Sequence, residues 1–236
     1  MNILAIDTSH PVGGAALACA GETVVEARFG NGTSHLAEIG RAVDGLLSGR
    51  GLGAADLDRV ALVTGPGSFT GLRIGMSFAK GLCAGLETDL VVISSLELLA
   101  LPLLARDPVV CAMIDARKGE VYGAVYRAGD DSSGPCARTL IEPCVRPPRA
   151  MVGEAAGYSP VFVGSGALHY RRDVEEGAPG CRIADEESAL PSVGLFAAVA
   201  SGLAPLDRAG VVAMEPFYVR PIDAVFKPLK PVDPHE

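Results

Sequence analysis

The chain has 236 residues, 29 of them Gly and 17 Pro, with 49% hydrophobic residues, 5% aromatics and no Trp. That apolar content excludes a disordered chain and requires an aliphatic core, while a formal charge of −8 offers no basic field to hold nucleic acid unaided. The six cysteines are scattered without a Cys-x-x-Cys pair, which argues against a zinc site or a disulfide framework.

In chain order, Ile3, Leu4, Ala5 and Ile6 read as a short buried strand that stops at Asp7, too short an apolar run for a signal peptide. After a turn-rich stretch at 8–14, residues 15–20 and 23–29 read as two strands joined by the two-residue turn Gly21-Glu22. Ser34 is the expected cap of a helix whose apolar residues Leu36, Ile39, Val43, Leu46 and Leu47 recur at helical spacing, up to the glycines at 49–53. Residues 60–64 are a buried strand that runs through a glycine loop into a helix from about 72 to 86. Residues 90–93 are the next strand, and Ser94 or Ser95 caps a helix that Pro108 keeps from running on. Ser94, Ser95, Glu97 and Pro102 interrupt the apolar stretch 90–105, so no membrane span is expected and the chain is assigned to the cytoplasm.

The first half thus reads βββαβαβα, and then its opening recurs. Val109 to Asp115 (VVCAMID) mirrors Ile3 to Asp7 (ILAID), and an apolar strand at 121–126 follows as 15–20 follows the first, the mark of a duplicated unit. The second unit continues with a strand at 139–141, a Pro-rich connection at 146–149, a strand at 161–163 and a helix at 193–202. Three parts are expected: a subdomain over 1–105, a second over 106–214, and a loop-like tail over 215–236 returning toward the first.

The glycine loop, Gly65-Pro66-Gly67-Ser68-Phe69-Thr70-Gly71, lacks the Gly-Lys-Ser/Thr end of a Walker A loop, and its glycines are one residue off the dinucleotide fingerprint. A structural turn is the simpler reading, an anion cradle at the helix start the alternative. The helix it opens mixes Gly75, Ser77, Ala79, Gly81, Ala84 and Gly85 with Leu72, Met76, Phe78, Leu82 and Leu86. It is either fully buried, or its second apolar face meets a partner. Asp7 and Asp115 end matching strands, where carboxylates serve either a metal–phosphate group or a turn. His10, His35, His169 and His235 lie too far apart for a metal pair or a triad, and neither Ser68 nor Ser165 sits in a Gly-x-Ser-x-Gly elbow. The short basic clusters around Arg146 and Arg149 and at Arg171-Arg172 read as solvated faces.

Five blocks, ILAIDTS (3–9), GPGSFTGLRIG (65–75), SSLELL (94–99), IDARKGEVY (114–122) and EPFYVR (215–220), together resemble the TsaB (YeaZ) family. The resemblance spans almost the whole chain. It implies an α/β fold, the duplicated βββαβαβα of the actin-like ATPase and sugar-kinase (ASKHA) superfamily, in two subdomains. It also implies a non-catalytic scaffold subunit of the machinery that makes N6-threonylcarbamoyladenosine (t6A) in tRNA. Such a subunit pairs with its paralogue TsaD or with itself, works with the small ATPase TsaE, meets tRNA only indirectly and needs no membrane. TsaD relatives carry two metal-binding histidines in a V-N-H-L-E-G-H pattern; here Ser95 and Leu99 stand in their places, so no metal is expected. The complex would use ATP, with none bound tightly by this chain, and Asp7, Thr8, Gly65, Gly67 and Asp115 would mark a vestigial nucleotide cleft. The partner interface is expected on the helices at about 34–48 and 72–86, through Leu36, Ile39, Val43, Leu72, Ile74, Met76, Phe78 and Leu82, with Ile39 and Met76 open to a partner. The alternative function is an ATP-dependent phosphotransferase of the same superfamily. A peptidase lacks a nucleophile with a base or metal set.

Overall fold

The fold is seen in a computed structural model that describes residues 1–30, 35–129 and 137–220, the side chains of His35 and Leu36 excepted. Strand alternation builds two cores at once. In β1 (Ile3–Asp7), Leu4 and Ile6 face one side and Ile3 and Ala5 the other, because successive Cβ atoms leave a strand in opposite directions. β1 pairs antiparallel with β2 (Gly13–Ala18), and β2 antiparallel with β3 (Val25–Phe29). On its other edge β1 runs parallel to β4 (Arg59–Val63), which runs parallel to β5 (Asp89–Ile93), giving the order β3-β2-β1-β4-β5. The β2–β3 connection spans 19–24, longer than the expected two-residue turn. Its tight part is closed by Glu22 N donating to Cys19 O (3.1 Å), with Gly21 at φ +79°.

One face of this sheet is covered by α1 (His35–Ser48) and α2 (Phe69–Leu86), which set Ile39, Val43, Leu46, Leu47, Met76, Ala79 and Cys83 against Leu4, Ile6, Leu17, Val60 and Leu62. The expected α1 cap, Ser34, lies outside the described residues. α2 begins at Phe69 rather than Leu72, because Ser68 Oγ accepts from Gly71 N (3.2 Å) and so caps the helix.

The second half repeats the first. After α3 (Ser95–Leu104), capped by Ser94 Oγ accepting from Glu97 N (3.0 Å), come β6 (Val109–Arg117), β7 (Glu120–Arg127) and β8 (Arg138–Arg146). With β9 (Val161–Val163) they form a sheet in the order β8-β7-β6-β9. The fifth position is held by a single parallel bridge, Phe162 to Ile183, with Phe162 N donating to Arg182 O (2.9 Å) and Ala184 N to Phe162 O (2.8 Å). The Pro-rich stretch expected as a connection opens α4 (Pro148–Ala156) instead. Pro147 is its cap residue and Pro148 its first position, where the missing N–H has no partner to lose. α5 (Ser165–His169) and α6 (Arg171–Gly177) join α4 over the outer face, around Met151, Val152, Ala167, Val174 and Phe162.

The two halves exchange helices. α3 packs on β6 and β7 through Leu96, Leu99 and Ala100, while α7 (Val193–Val199) packs on β1 and β2 through Val193, Phe196 and Ala197. Ala5, Ala16 and Ala61 make the sheet surface shallow enough for that approach. Packing therefore brings the chain back to the first sheet at Val193, within the stretch 106–214 expected as the second subdomain. Arg59, on β4 and 6% exposed, ties this return in place. Its Nη1 donates to Ala200 O (2.8 Å), Ser201 O (3.2 Å) and Leu203 O (3.0 Å), and its Nη2 meets Asp89 at 3.2 Å. These carbonyls close the end of α7, where a cation is favoured.

Beyond α7, Leu206 N donates to Leu90 O (2.8 Å) and α8 (Arg208–Ala213) follows. Lys80 Nζ on α2 then donates to Val212 O (2.9 Å) and Met214 O (2.7 Å), and Phe217 N to Thr64 O (2.8 Å). Arg220 pairs with Glu120 on β7. Residues 221–236 of the expected tail lie outside the described residues. Among the described residues no helix is long and apolar enough to cross a membrane. Arg59→Leu should strand the α7 carbonyls and lower the unfolding free energy by about 3 kcal/mol, read as a lower urea midpoint at unchanged m-value.

Candidate functional site: a filled cleft and an open helix face

The turn after β1 binds itself. Asp7 is 3% exposed, and its Oδ1 accepts from Ser9 N (2.8 Å) and Ser9 Oγ (2.6 Å). Ser9 Oγ also lies 2.7 Å from His10 Nδ1, which is 3.8 Å from Asp7 Oδ2. Because the Ser9 hydroxyl proton goes to Asp7, the ring must donate at Nδ1; Nε2 is buried, with no partner among the described residues. Burial raises the Asp7 carboxyl, but the His10 ring and the Ser9 donors outweigh it and hold the group below its ordinary value. Asp, Ser and His thus gather here, yet not as a triad. The hydroxyl sits between acid and ring, where a triad places the ring, and Ser9 is 2% exposed.

The glycine loop fits around this turn. A Cβ on Gly67 would strike Ser9 O, one on Gly71 Thr8 O, and one on Gly75 Thr8 Oγ1. Thr8 Oγ1 donates to Gly71 O (2.8 Å), and Ser68 N to Ser9 O (2.7 Å). Gly65, at φ +112°, turns the chain so that its carbonyl accepts from Ser95 N (2.7 Å). The void beside Asp7 is about 20 Å³, walled by Val12, Gly13, Gly14, Glu26, Arg28, Leu190, Pro191 and Val193, room for about one water. Asp115 serves its own turn in the second half: Oδ1 accepts from Arg117 N (2.9 Å), and Asp115 N donates to Ser165 Oγ (3.2 Å). The residues of the expected nucleotide cleft are thus engaged by neighbours within each half, Asp7 by Ser9, Thr8 by Gly71, Gly65 by Ser95 and Asp115 by Arg117 and Ser165, and no contact joins Asp7 to Asp115 among the described residues. Ser95 and Leu99 are buried in α3 at 0% and 2% exposure. Among the described residues no three His, Cys, Asp or Glu side chains are placed to hold a metal ion.

The partner-interface residues divide by face. Ile39, Val43, Leu72 and Met76 are 1%, 5%, 3% and 6% exposed and lie in the chain's own interior, so they cannot meet a partner, and charges at Ile39 or Met76 would break the core. Helical spacing marks a stripe but does not say which stripe faces the sheet. Ile74 lies on the other side of α2 and is half-buried; Phe78 and Leu82, also half-buried, sit at the margin and still pack against the first core, while the side chain of Leu36 lies outside those described. Around Ile74 and Phe78 an open hollow of about 530 Å³ is lined also by Phe69, Thr70, Arg73 and Ser77. Phe69 and Arg73 escaped the sequence reading. Their clue is long-range: Tyr218, from the EPFYVR block, stacks on Phe69 at 5.4 Å and accepts from Arg73 Nε (3.1 Å).

A family model described as TsaD, tRNA N6-adenosine threonylcarbamoyltransferase, matches residues 31–157. The chain is 32% identical over 190 residues to the tRNA threonylcarbamoyladenosine biosynthesis protein TsaB of Haemophilus influenzae, a match covering 78% of this chain and 80% of that protein. The chain belongs to the TsaB (YeaZ) family. The TsaB protein of Bacillus subtilis is 36% identical over 127 residues, and that match spans about half of each chain, 54% of this one and 56% of the relative. A solved structure from Pseudomonas aeruginosa, described as similar to peptidase YeaZ, superposes with a TM-score of 0.76 at 25% identity, covering 93% of this chain and 99% of that one. The two mixed sheets, with their duplicated order and exchanged helices, are the ASKHA-type α/β fold in its TsaB form. In this TsaB-family chain, the turn after β1 is closed on itself by the Asp7–Ser9–His10 contacts.

Asp7→Asn removes the carboxylate of this buried clamp and should cost about 1–3 kcal/mol at neutral pH. Because the Asp7 carboxyl is held below its unfolded value, its contribution is fully present above about pH 4 and is lost as pH falls through the folded-state value. Urea denaturation of wild type and variant should therefore converge in acid.

Proposed function

We propose that this chain is a non-catalytic docking subunit of the t6A tRNA-modification machinery, with the outward face of α1 and α2 as the seat of its partner. The observation that carries the reading is the glycine on that face. At Gly40 and Gly45 on α1, and at Gly81 and Gly85 on α2, an added Cβ meets nothing within 4 Å. Among the described residues no contact requires these four, unlike Gly71 and Gly75, and each costs a helix about 1 kcal/mol relative to Ala. Bare backbone beside Ile74, Phe78 and Leu82 is what close approach by a partner helix uses.

The relatives' printed role in threonylcarbamoyladenosine biosynthesis and the match to the TsaD model support TsaD as that partner. A second copy of this chain would use the same face when TsaD is absent, so homodimer and heterodimer exclude one another. TsaE joins the assembled pair. The complex uses ATP while this chain holds no nucleotide tightly, in keeping with the packed turn at Thr8 and Ser9. The charge of −8 leaves tRNA to the partners, and the work is done in the cytoplasm.

Ser77→Arg, at an exposed position in the hollow, should abolish TsaD binding in calorimetry while circular dichroism and thermal midpoint stay at wild type. Gly81→Ala should stabilise the isolated chain by up to about 1 kcal/mol and weaken the same binding. Reconstituted tRNA threonylcarbamoylation should fall when the chain is omitted or replaced by Ser77→Arg. Full TsaD binding by Ser77→Arg would refute the docking face.

A further inference from the structure

We infer that Arg73 is the specificity anchor of the α2 face, a braced guanidinium that receives a carboxylate from the partner, with Tyr218 as the residue that positions it. The inference rests on the docking reading above and adds to it the chemistry of the contact.

Two charged side chains occur along α2, Arg73 and Lys80. Lys80 is spent on the carbonyls of Val212 and Met214. Arg73 is exposed yet held on two sides: its Cζ lies 3.9 Å from the Phe69 ring centroid, and its Nε donates to Tyr218 Oη at 3.1 Å. Tyr218 is fixed in turn by stacking on Phe69, at 5.4 Å between centroids and 29° between planes. Among the described residues no carboxylate meets Arg73, and its two Nη groups take no partner. By contrast, Arg149, Arg172 and Arg182 all pair with carboxylates on the second half.

A guanidinium with its ring face and Nε engaged offers one free edge, the Nη pair, whose geometry matches a carboxylate in two parallel hydrogen bonds. Bracing also removes rotamer freedom before the partner arrives, so less is lost on binding. Arg73 lines the same hollow as Ile74 and Phe78. The matching partner surface is therefore an apolar segment bearing an Asp or Glu, placed so that its apolar side chains enter the hollow while the carboxylate meets Arg73. The segment that carries Tyr218 ends on the second sheet, where Arg220 pairs with Glu120 and lies 5.9 Å from the Tyr122 ring centroid. Both halves of the molecule thus set the position of the anchor.

The test is calorimetric titration of full-length TsaD from the same organism into the wild-type chain and its variants, at low and high salt, with thermal midpoints recorded for each. Arg73→Ala should weaken binding about tenfold or more and remove most of its salt dependence. Arg73→Lys should restore only part of the affinity, because an ammonium cannot make the paired contact. Tyr218→Phe keeps the stack and loses the acceptor, and should lose a few-fold in affinity at an unchanged thermal midpoint. If Ser77→Arg abolishes binding while Arg73→Ala keeps wild-type affinity and salt dependence, the anchor is wrong and the docking face stands. If Ser77→Arg binds like wild type, the docking reading itself fails.

Discussion

A side chain at Gly67, Gly71 or Gly75 would run into Thr8 or Ser9, so the start of α2 can lie against the β1 turn only as bare backbone. That contact fixes how α2 is rolled about its axis. Met76, Ala79 and Cys83 turn toward the sheet and Leu72 is buried against Gly65, leaving Thr70, Arg73 and Ser77 exposed and Ile74 half-exposed on the far side. It also fills the space beside the β1 turn. The backbone groups that could surround an anion are packed against Thr8 and Ser9, and the Asp7 carboxylate is closed by hydrogen bonds from Ser9. One packing contact thus both fills the space beside the β1 turn and sets which side of α2 is exposed.

The duplicated architecture supplies the rigid base for that face. Each half ends in a helix that packs on the other half's sheet, α3 on β6 and β7 and α7 on β1 and β2. Arg59, at the start of β4, reaches three carbonyls at the end of α7. Helix exchange of this kind joins the subdomains through buried apolar surface rather than through a flexible hinge. The segment after α8 adds a second tie, running from Thr64 and Arg73 on one half to Glu120 on the other. A partner seated on α2 therefore meets a surface whose side chains are positioned by contacts from both halves.

Much of this was legible in the sequence, and the failures have physical causes. The strands and the repeat were readable because apolar runs ending in Ile-Asp recur at Asp7 and Asp115 and mark equivalent places in two sheets. The start of α2 was misplaced because Ser68, read as part of a loop, is a cap. α4 was hidden by Pro147 and Pro148, which punctuate a chain as readily as they open a helix. Ile39, Val43, Leu72 and Met76 were assigned to the wrong side because periodicity gives a stripe without its direction. The spacing of Gly67, Gly71 and Gly75, four residues apart, carried that direction: it identifies the side of close backbone approach, and the opposite side as open. The Arg73–Tyr218 contact joins residues far apart in sequence, and no local pattern announces it.

The proposed seat of TsaD is the outer face of α2. A photo-crosslinking amino acid at Thr70, which lines the hollow, tests it most directly, with the same group at the exposed Tyr158 of the second half for comparison. Irradiation of the mixed proteins should join TsaD to the Thr70 position and leave the Tyr158 position free. A cross-link from Tyr158 with none from Thr70 would contradict the account.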